Sequence, residues 1–337
     1  MSKIKFAVLG YGHIGRKHAI MVDGNPDCEL VAVVDPNEEA RERAKEFGAP
    51  VFADIDDYIA SGIHADVVNV CTPNGSHSRM ASKALDQKSH VIVEKPMALT
   101  KADCEEVIYK SLQAGKNVFC VKQNRYSPSS EWLKSLMVEE KLGEIYMVQM
   151  NCYWNRDDRY YKKGGWKGSK ELDGGVLFTQ FSHFIDIMYW LMGDIDDIHG
   201  QSTNFSHKKS TEFDDTGIVY FNFKKGGMGS VNFSTSVYGQ NMESSIAIIG
   251  SKGSVKVSGQ YMDQVSYCHI EDYELPELPP ANPPNDYGDY KGSAANHHYV
   301  IQNVINTLQG TDVISTNALE GMKVVEIIER MYEAFEA

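Results

Sequence analysis

The stretch "IKFAVLGYGHIG" (Ile4–Gly15) decides how the first half of the chain is interpreted. An apolar run typical of a buried strand ends in three glycines with the spacing GxGxxG. Gly10 permits a tight turn, Gly12 lets the backbone approach a pyrophosphate, and Gly15 lets the next helix pack closely on the strand. Asp35 follows twenty residues later, at the end of "LVAVVD". Together these features predict a dinucleotide-binding site.

The charge of Asp35 indicates which dinucleotide binds. Its carboxylate can accept hydrogen bonds from both ribose hydroxyls, whereas the 2′-phosphate of NADP would meet a like charge. Asp35 could instead cap the following helix, and that alternative stays open. The sequence therefore favours NAD over NADP as the cofactor.

The first third of the chain alternates apolar runs with helical patterns. Strands are predicted at "IKFAVLG", "LVAVVD", "ADVVNVCTP", "HVIVEKP" and "NVFCVKQNR". Helices are predicted around residues 16–21, 38–47, 76–85 and 101–114. Strict alternation implies right-handed crossovers and a parallel sheet covered on both faces. Residues 1–124 are therefore predicted to form an α/β Rossmann domain.

The pattern changes after Arg125. A predicted helix near residues 129–140 precedes β-rich runs such as "GIVYFNFKKGGMGSVNFSTS", whose Gly-rich turns are typical of hairpins. The segment "ELPELPPANPPNDYGDY" has too many prolines for regular structure and is predicted to be a loop. A closing helix is predicted at about residues 315–336. Residues 125–337 are thus expected to form an α+β domain with an open, largely antiparallel sheet.

Bulk properties exclude several classes of protein. A chain of 337 residues favours two domains, and a net charge of −13 without a basic stripe opposes nucleic-acid binding. No segment is long and apolar enough to span a bilayer, and the start of the chain lacks a signal-peptide cleavage site. The six cysteines show no metal-binding spacing. We expect a cytoplasmic protein with free thiols, no metal and no nucleic-acid or membrane partner.

Two further strand ends carry polar residues. In "CTPNGSH" (Cys71–His77), cofactor contacts are expected from Thr72, Pro73, Asn74 and His77, although Asn74 and Ser76 could merely shape the turn. In "VIVEKPMALT" (Val91–Thr100), Lys95 ends a strand at the carboxyl edge of the predicted sheet. It is either a solvated turn residue or a group held against a ligand.

The glycine loop, "TPNGSH" and "EKP" together resemble the glucose-fructose oxidoreductase/inositol dehydrogenase (Gfo/Idh/MocA) family over essentially the whole chain. The resemblance implies NAD(P)-dependent chemistry on sugar carbons, with Lys95 as the catalytic lysine. It implies that the second domain binds substrate and another subunit, in a homotetramer rather than a dimer. Further cofactor contacts are expected from His13, Ile14, Glu94, Lys95 and Gln123.

The second signature of that family is a Gly-Gly segment leading into a helix with a catalytic histidine. Here it reads "DGGVLFTQFSHFIDIMYW", which makes His183 the histidine and places Thr179 where the family often has an acidic residue. One helical turn would separate the two, so both side chains could face one cleft. Threonine cannot supply the negative charge that raises a histidine pKa. His183 is therefore expected to act as a base in a less acidic setting.

The segment "WNRDDRYYKKGGWKGSKELDGG" gathers cations and aromatic rings in an acidic protein. It is either a solvated loop or a site for a carboxylate or phosphate, with rings stacked on the ligand. With "FTQFSHFID" and "YKGSAANHH" it looks like the UDP-N-acetylglucosaminuronic acid 3-dehydrogenase subgroup. Substrate contacts are then expected from Lys95, Asn124, Arg125, Arg156, Arg159, Tyr160, Trp166, Lys167, Thr179, His183, Tyr290, Ser293 and His297.

The resemblance to this subgroup implies oxidation of the sugar C3 hydroxyl, on a route to the amino sugars of surface polysaccharides such as lipopolysaccharide. One alternative is another sugar or cyclitol dehydrogenase of the same family. A second is a non-enzymatic regulator that binds NAD, as in the galactose-pathway repressor of yeasts. The presence of both Lys95 and His183 favours an enzyme.

Overall fold

The computed structural model describes residues 2–288 and 290–336. The chain divides into two compact units, of which unit 1 contains the residues up to Lys122 and His297–Val325. Unit 2 contains Gln123–Asn296 and the residues from Glu326 onward. The first crossing lies two residues before the predicted boundary at residue 124. Residues 297–325, assigned from the sequence to the second domain, lie in unit 1.

Residues 297–325 lie in unit 1 because part of this segment contacts the last strand of the parallel sheet. The backbone N–H of Cys120 donates to the carbonyl oxygen of Thr316 at 2.9 Å, and the Thr316 hydroxyl donates to the carbonyl oxygen of Cys120. Phe119 and Asn317 form an isolated β-bridge. The segment therefore satisfies the backbone of an edge strand, which would otherwise be left unpaired.

Unit 1 is built on a six-stranded parallel sheet with the order β3-β2-β1-β4-β5-β6. Its strands are β1 (Ile4–Leu9), β2 (Cys28–Val34), β3 (Val51–Phe52), β4 (Val67–Val70), β5 (His90–Val93) and β6 (Val118–Cys120). Its helices are α1 (His13–Asp23), α2 (Glu38–Ala44), α3 (Ile55–Ala60), α4 (His77–Asp86), α5 (Lys101–Ala114) and α9 (His297–Leu308). This order is that of a Rossmann domain.

Unit 2 is built on a seven-stranded sheet with the order β13-β12-β11-β7-β10-β9-β8. Its strands are β7 (Ile145–Tyr153), β8 (Ile195–Thr203), β9 (Thr216–Phe223), β10 (Met228–Ser234), β11 (Glu243–Gly250), β12 (Gly253–Ser258) and β13 (Gln264–Ile270). Its helices include α6 (Pro128–Val138), α7 (Val176–Thr179) and α8 (Ser182–Met192). Only β7 and β10 pair in parallel among these strands of the described chain. The predicted open, largely antiparallel sheet is confirmed.

The two faces of this sheet differ in burial. Along β7, Val148, Met150 and Cys152 are buried, while the residues between them are exposed or half-buried. Such alternation is the period-2 pattern of a sheet with one face on the core. Large apolar side chains nevertheless lie exposed on the outer side: Met147, Ile218, Tyr220, Met228, Ile249 and Tyr267.

Two local predictions need correction. The proline-rich segment contains a short strand, β14 (Pro284–Asp286), which pairs with β15 (Lys291–Ala294), and a two-stranded ladder tolerates proline at its edge. Thr179 and His183 do not share one helix, because α7 ends before α8 begins. The last helix is α10 (Ala318–Glu336), in the segment where the closing helix was expected.

None of the helices in residues 2–288 and 290–336 combines the length and apolar character needed to cross a membrane.

Candidate active site

The glycine loop that joins β1 to α1 is held by close backbone contacts. Gly10 has a φ of +86°, and a Cβ there would lie 2.6 Å from the carbonyl oxygen of Cys71. A Cβ on Gly15 would lie 1.8 Å from the carbonyl oxygen of Gly10, so neither position admits a side chain. A Cβ on the exposed Gly12 would meet no described atom within 4 Å. Open space there fits the approach of a pyrophosphate to the backbone.

The start of α1 also fits an anionic group. Its N-cap is Gly12, and among the described residues no side chain caps the first turn. Unsatisfied backbone N–H groups at a helix N-terminus attract phosphate. His13, which is exposed, and Ile14, which is half-buried, lie at this end, and both are expected to contact the cofactor.

Asp35 lies directly after β2 and is half-buried. Its carboxylate accepts the backbone N–H of Tyr11 at 2.6 Å and that of Asn37 at 2.8 Å. The N-cap of α2 is Asn37, whose side chain accepts the N–H of Ala40. Asp35 is therefore not the helix cap that the sequence left open, and it ties the glycine loop to the end of β2.

The loop after β4 is organised by His77, which is 1% exposed. Its Nδ1 lies 2.7 Å from the carbonyl oxygen of Pro96, and its Nε2 lies 2.7 Å from that of Thr72. Burial lowers the pKa of His77, and a neutral ring donates to one of these two oxygens. Both ring nitrogens thus face the backbone, and His77 fixes the loop that carries Thr72, Pro73 and Asn74.

Glu94 follows β5 and lies at the centre of a buried group that we call the Glu94 network: Glu94, His18, His297 and Asn69. Glu94 Oε1 lies 2.9 Å from His18 Nε2 and 3.6 Å from His297 Nε2. Asn69 Nδ2 lies 3.1 Å from His18 Nδ1, so His18 accepts there and donates its Nε2–H to Glu94. The backbone N–H of the half-buried Lys95 lies 3.3 Å from Glu94 Oε2.

Two members of the Glu94 network have displaced pKa values. Burial by itself would raise the pKa of Glu94, but the hydrogen bond from His18 and the positive charges that His297, His18 and Lys95 can carry lower it to about 2. Burial lowers the pKa of His297 to about 3. The network thus holds an ionised carboxylate beside a neutral imidazole at pH 7. The substrate contact predicted for His297 would therefore come from a neutral, buried ring.

In unit 2, His183 is the second residue of α8 and is 7% exposed. Three residues later, Asp186 accepts two hydrogen bonds from the guanidinium of Arg125, at 2.8 and 2.7 Å. Both of these side chains are buried, and the Arg125 guanidinium lies 5.3 Å from the centre of the Trp190 ring. The structure therefore uses Arg125, predicted to bind substrate, to hold the helix that carries His183.

Four predicted substrate residues form what we call the cation–aromatic cluster: Arg156, Tyr160, Lys167 and Tyr290. Lys167 Nζ lies 3.8 Å from the centre of the Tyr160 ring and 4.5 Å from that of Tyr290, and it donates to the Tyr290 hydroxyl at 2.9 Å. The Arg156 guanidinium lies 5.0 and 5.3 Å from the same two rings. Such contacts are cation–π interactions. Trp166 lies at the edge, 6.0 Å from Lys167.

The predicted cations differ in what they contact. Arg156 is 3% exposed and donates to the carbonyl oxygens of Asn155 and Lys291 and to the side chain of Asn241. Arg159 is exposed and pairs with Asp157 at 2.7 Å. Arg156 therefore joins three loops, and Arg159 lies in solvent beside a carboxylate. Lys167 is the half-buried cation of the segment.

The structure brings two more predicted residues together. Ser293 Oγ donates to Asn124 Oδ1 at 2.7 Å, next to the short helical turn Gln123–Tyr126. Gln123 belongs to unit 2 and is buried, and its Oε1 has no hydrogen-bond partner among the described residues. Asn124 and Ser293 thus form one polar contact.

Asp173, which no sequence pattern indicated as a site residue, is fully buried. The Thr179 hydroxyl donates to its carboxylate and, at 3.0 Å, to its carbonyl oxygen, while the N–H of Gly168 donates to Oδ2 at 2.8 Å. Burial raises the pKa of Asp173 to about 6, against the hydrogen bonds and the charge of Lys167. A buried carboxylate therefore accepts a hydrogen bond from Thr179. The less acidic setting expected for His183 did not take this carboxylate into account.

Local signals could have pointed to some of the missed residues. His18 lies three residues after Gly15, and Asp186 lies three residues after His183, on the same helices as those predicted functional residues. Asp173 directly precedes the Gly-Gly pair. Across the described part of the chain, no three His, Cys, Asp or Glu side chains are grouped as a metal site.

Comparisons with known proteins place this architecture among oxidoreductases. Residues 4–122 match the oxidoreductase family with an NAD-binding Rossmann fold, and residues 131–256 match the GFO/IDH/MocA C-terminal domain. The WlbA dehydrogenase from Bordetella pertussis, solved in complex with NADH and UDP-GlcNAcA, is 31% identical with a TM-score of 0.88, covering 99% of this chain and 97% of that one. The corresponding complex from Chromobacterium violaceum is 32% identical with a TM-score of 0.88, covering 100% and 94%.

A sequence relative with a different substrate matches over a similar length. Glucose-6-phosphate 3-dehydrogenase from Bacillus subtilis is 25% identical, over 98% of this chain and 95% of its own. The chain therefore belongs to the GFO/IDH/MocA family of NAD-binding oxidoreductases.

Proposed function

We propose that this member of the GFO/IDH/MocA family oxidises the C3 hydroxyl of UDP-N-acetylglucosaminuronic acid to a 3-keto sugar. The chain is an NAD-dependent sugar or cyclitol dehydrogenase, and the proposal concerns the substrate. Its main support is that the likeness to two dehydrogenases holding UDP-GlcNAcA extends over nearly the whole chain. The cation–aromatic cluster adds a chemical reason, since phosphates, a carboxylate and a base suit cations and rings.

The proposed chemistry assigns one role to each predicted catalytic residue. The glycine loop would hold NAD, which would supply the acceptor for the hydride of C3. His183 takes the proton of the C3 hydroxyl, and the carbon–oxygen bond becomes a carbonyl. Lys95 hydrogen-bonds the same oxygen and supports the negative charge that develops on it. In unit 1 the ionised Glu94 keeps a negative charge beside Lys95, which favours its ammonium form.

The remaining predicted residues are part of the same proposal. Unit 1 binds NAD, with NAD preferred to NADP because of Asp35. Unit 2 binds the sugar nucleotide, with Lys167, Tyr160, Trp166 and Tyr290 as its contacts. A 3-keto sugar is the form that an aminotransferase accepts, which suits synthesis of surface polysaccharides. The cytoplasm is the proposed location, and all six cysteines are free thiols.

A substrate panel tests the proposal. Purified protein with NAD is mixed with UDP-N-acetylglucosaminuronic acid, UDP-N-acetylglucosamine, glucose 6-phosphate and myo-inositol, and NADH formation is followed by absorbance. We expect the charged UDP-sugar to give the highest kcat/KM. Comparison with UDP-N-acetylglucosamine isolates the contribution of the substrate carboxylate to kcat/KM. Efficient oxidation of glucose 6-phosphate or myo-inositol, with none of the UDP-sugars, would contradict the proposal.

We further propose a homotetramer in which the outer face of the seven-stranded sheet is covered. Exposed apolar side chains on β9, Ile218 and Tyr220, line a groove of about 760 Å³ together with Phe205. Contiguous apolar surface of this kind is unusual on a monomer. Light scattering at micromolar concentration should give a tetramer mass. Ile218→Glu should lower that mass, whereas Ile20→Glu, at an exposed position on α1, should not; a monomeric wild type would refute the assembly.

A further inference from the structure

Asp173 and Thr179 form a buried pair just before His183. Thr179 is 8% exposed and Asp173 is 0% exposed. The Asp173 carboxylate accepts the Thr179 hydroxyl and the backbone N–H groups of Gly168 and Gly175. Because an ionised carboxylate only accepts hydrogen bonds, the direction of each of these bonds is fixed.

This direction determines what Thr179 can offer to another group. A threonine hydroxyl has one proton and two lone pairs. Its proton is committed to Asp173, so Thr179 presents only lone pairs elsewhere. It can therefore accept a hydrogen bond from a neighbouring N–H but cannot donate one.

Thr179 lies about one turn before His183, although the two helices are separate. The intervening Gln180 (φ −89°, ψ −45°) and Phe181 (φ −108°, ψ −1°) keep right-handed helical angles. Residues four apart with such angles lie on the same side of the backbone. The other acid near His183, Asp186, has both carboxylate oxygens on Arg125.

We propose that Asp173 is a positioning residue for His183 and acts through the hydroxyl of Thr179. The inference rests on the proposed function, in which His183 takes the proton of the sugar hydroxyl. Thr179 Oγ1 accepts the N–H of one ring nitrogen of His183, which leaves the other nitrogen able to take that proton. The resulting imidazolium faces an oxygen polarised by the Asp173 carboxylate. The substrate proton ends on His183, the hydride ends on NAD, and the Thr179 proton stays in place.

The charge of Asp173 depends on the groups that face it. Lys167 and the rings of Tyr160 and Tyr161 come from its own segment, and Tyr332 comes from α10. Burial raises the pKa of all three tyrosines, which therefore stay neutral. With a pKa of about 6, Asp173 is ionised above that pH and supports His183 there, and the support is lost as the pH falls below it.

Asp173→Asn tests the direction of the hydrogen bond. An amide NH₂ facing Thr179 would donate to it, so the Thr179 hydroxyl would lose its carboxylate acceptor and keep only the backbone carbonyl oxygen of residue 173. Single-turnover hydride transfer from UDP-N-acetylglucosaminuronic acid at saturating NAD should fall on the order of a hundredfold. The acidic limb of the pH–rate profile should move down by about one unit, because protonated His183 loses its stabilisation. Thr179→Val should reproduce both effects, and Thr179→Ser should restore the rate to within about threefold.

Asp215→Asn is the matched control. Asp215 is equally buried and accepts the N–H groups of Phe205, Ser206 and His207, so it organises a loop in the same unit. We expect this variant to melt at a lower temperature and to keep the wild-type acidic limb. If Asp173→Asn behaves in the same way, with a lower melting temperature and an unmoved limb, Asp173 only holds a loop and the inference is overturned.

A second readout does not depend on the substrate. In histidine-labelled protein, the NMR signal of His183 is identified by its loss in His183→Asn and is titrated. Its pKa should fall by about one unit in Asp173→Asn and in Thr179→Val. An unchanged pKa would overturn the positioning role. If the wild type oxidises no UDP-sugar, the proposed function fails, and the titration alone then decides for or against Asp173.

Discussion

Glu94 and Asp173 are both buried carboxylates, the first beside the predicted catalytic Lys95 and the second bonded to Thr179, yet their surroundings act on their pKa values in opposite directions. Burial opposes ionisation of Glu94, but His18, His297 and Lys95 outweigh it and lower its pKa to about 2. Asp173 meets a hydroxyl, backbone amides and a more distant Lys167, and burial raises its pKa to about 6. Ionisable partners stabilise a carboxylate more than neutral donors do. Unit 1 thus holds a constant charge, whereas the charge in unit 2 responds to pH.

The largest expected effect comes from removing the cation beside Glu94. Lys95→Ala should slow hydride transfer on the order of a hundredfold, because charge stabilisation worth roughly 3 kcal/mol is lost at the reacting oxygen. NAD affinity should change much less, since the glycine loop and Asp35 contact the rest of the cofactor. Stopped-flow measurement of NADH formation with NAD saturating gives the rate.

Two controls accompany this prediction. Lys101→Ala changes a half-buried lysine at the start of α5 and should leave the rate nearly unaltered. His183→Asn should resemble Lys95→Ala, and the double variant should lose less than the product of the two effects if both groups act on one hydroxyl. A near-wild-type rate for Lys95→Ala would make Lys95 a turn residue and restrict the role of the Glu94 network to stability.

The variant Glu94→Gln tests how much the ionised carboxylate of Glu94 contributes to the stability of the fold. The folded pKa of about 2 lies below the ordinary value of 4.5, so ionised Glu94 stabilises the fold above pH 4.5, and this contribution is lost as the pH falls toward 2. The variant should lose about 3 kcal/mol in free energy of unfolding at pH 7, measured by urea denaturation. Glu139→Gln, at an exposed position, should lose less than about 0.5 kcal/mol. Equal stability of Glu94→Gln and wild type would refute the contrast with Asp173.

Asp173→Asn should have the opposite effect on stability. The folded pKa of about 6 exceeds the ordinary 3.8, so the wild type loses stability as the pH rises between these values. Asparagine avoids this cost, and the variant should be more stable by about 3 kcal/mol at pH 8, with most of the gap gone at pH 4. Urea denaturation at the two pH values provides the comparison. A variant less stable than the wild type at pH 8 would show that the carboxylate hydrogen bonds outweigh the cost of burial.

A third carboxylate, the half-buried Asp35, extends the comparison to cofactor choice. The wild type should bind NAD more tightly than NADP, because the 2′-phosphate would meet the charge of Asp35. Asp35→Ser should reduce that preference by about tenfold, equivalent to about 1.4 kcal/mol. Calorimetric titration with both dinucleotides measures the ratio. Preference of the wild type for NADP would show that the charge of Asp35 does not select the cofactor.

Features that depend on local sequence patterns could be predicted in both units. The parallel sheet, the glycine loop and the position of Lys95 after β5 depend on periodicity and on spacings of a few residues, which are written in the local sequence. Gly10 and Gly15 were assigned correctly because a turn and a close helix contact impose a steric demand on single positions. The open, mostly antiparallel sheet followed from alternation and turns in the same way.

The partners of the buried charges were decided by the tertiary structure alone. His18 and Glu94 are 76 residues apart, and Arg125 and Asp186 are 61 residues apart. Residues 297–325 return to unit 1 because an edge strand there needs backbone partners. Sequence patterns record which face of an element is buried, but a carboxylate takes its pKa from the donors that folding brings to it. Candidate site residues could therefore be named from the sequence, whereas the electrostatic setting of each was decided by contacts between distant segments.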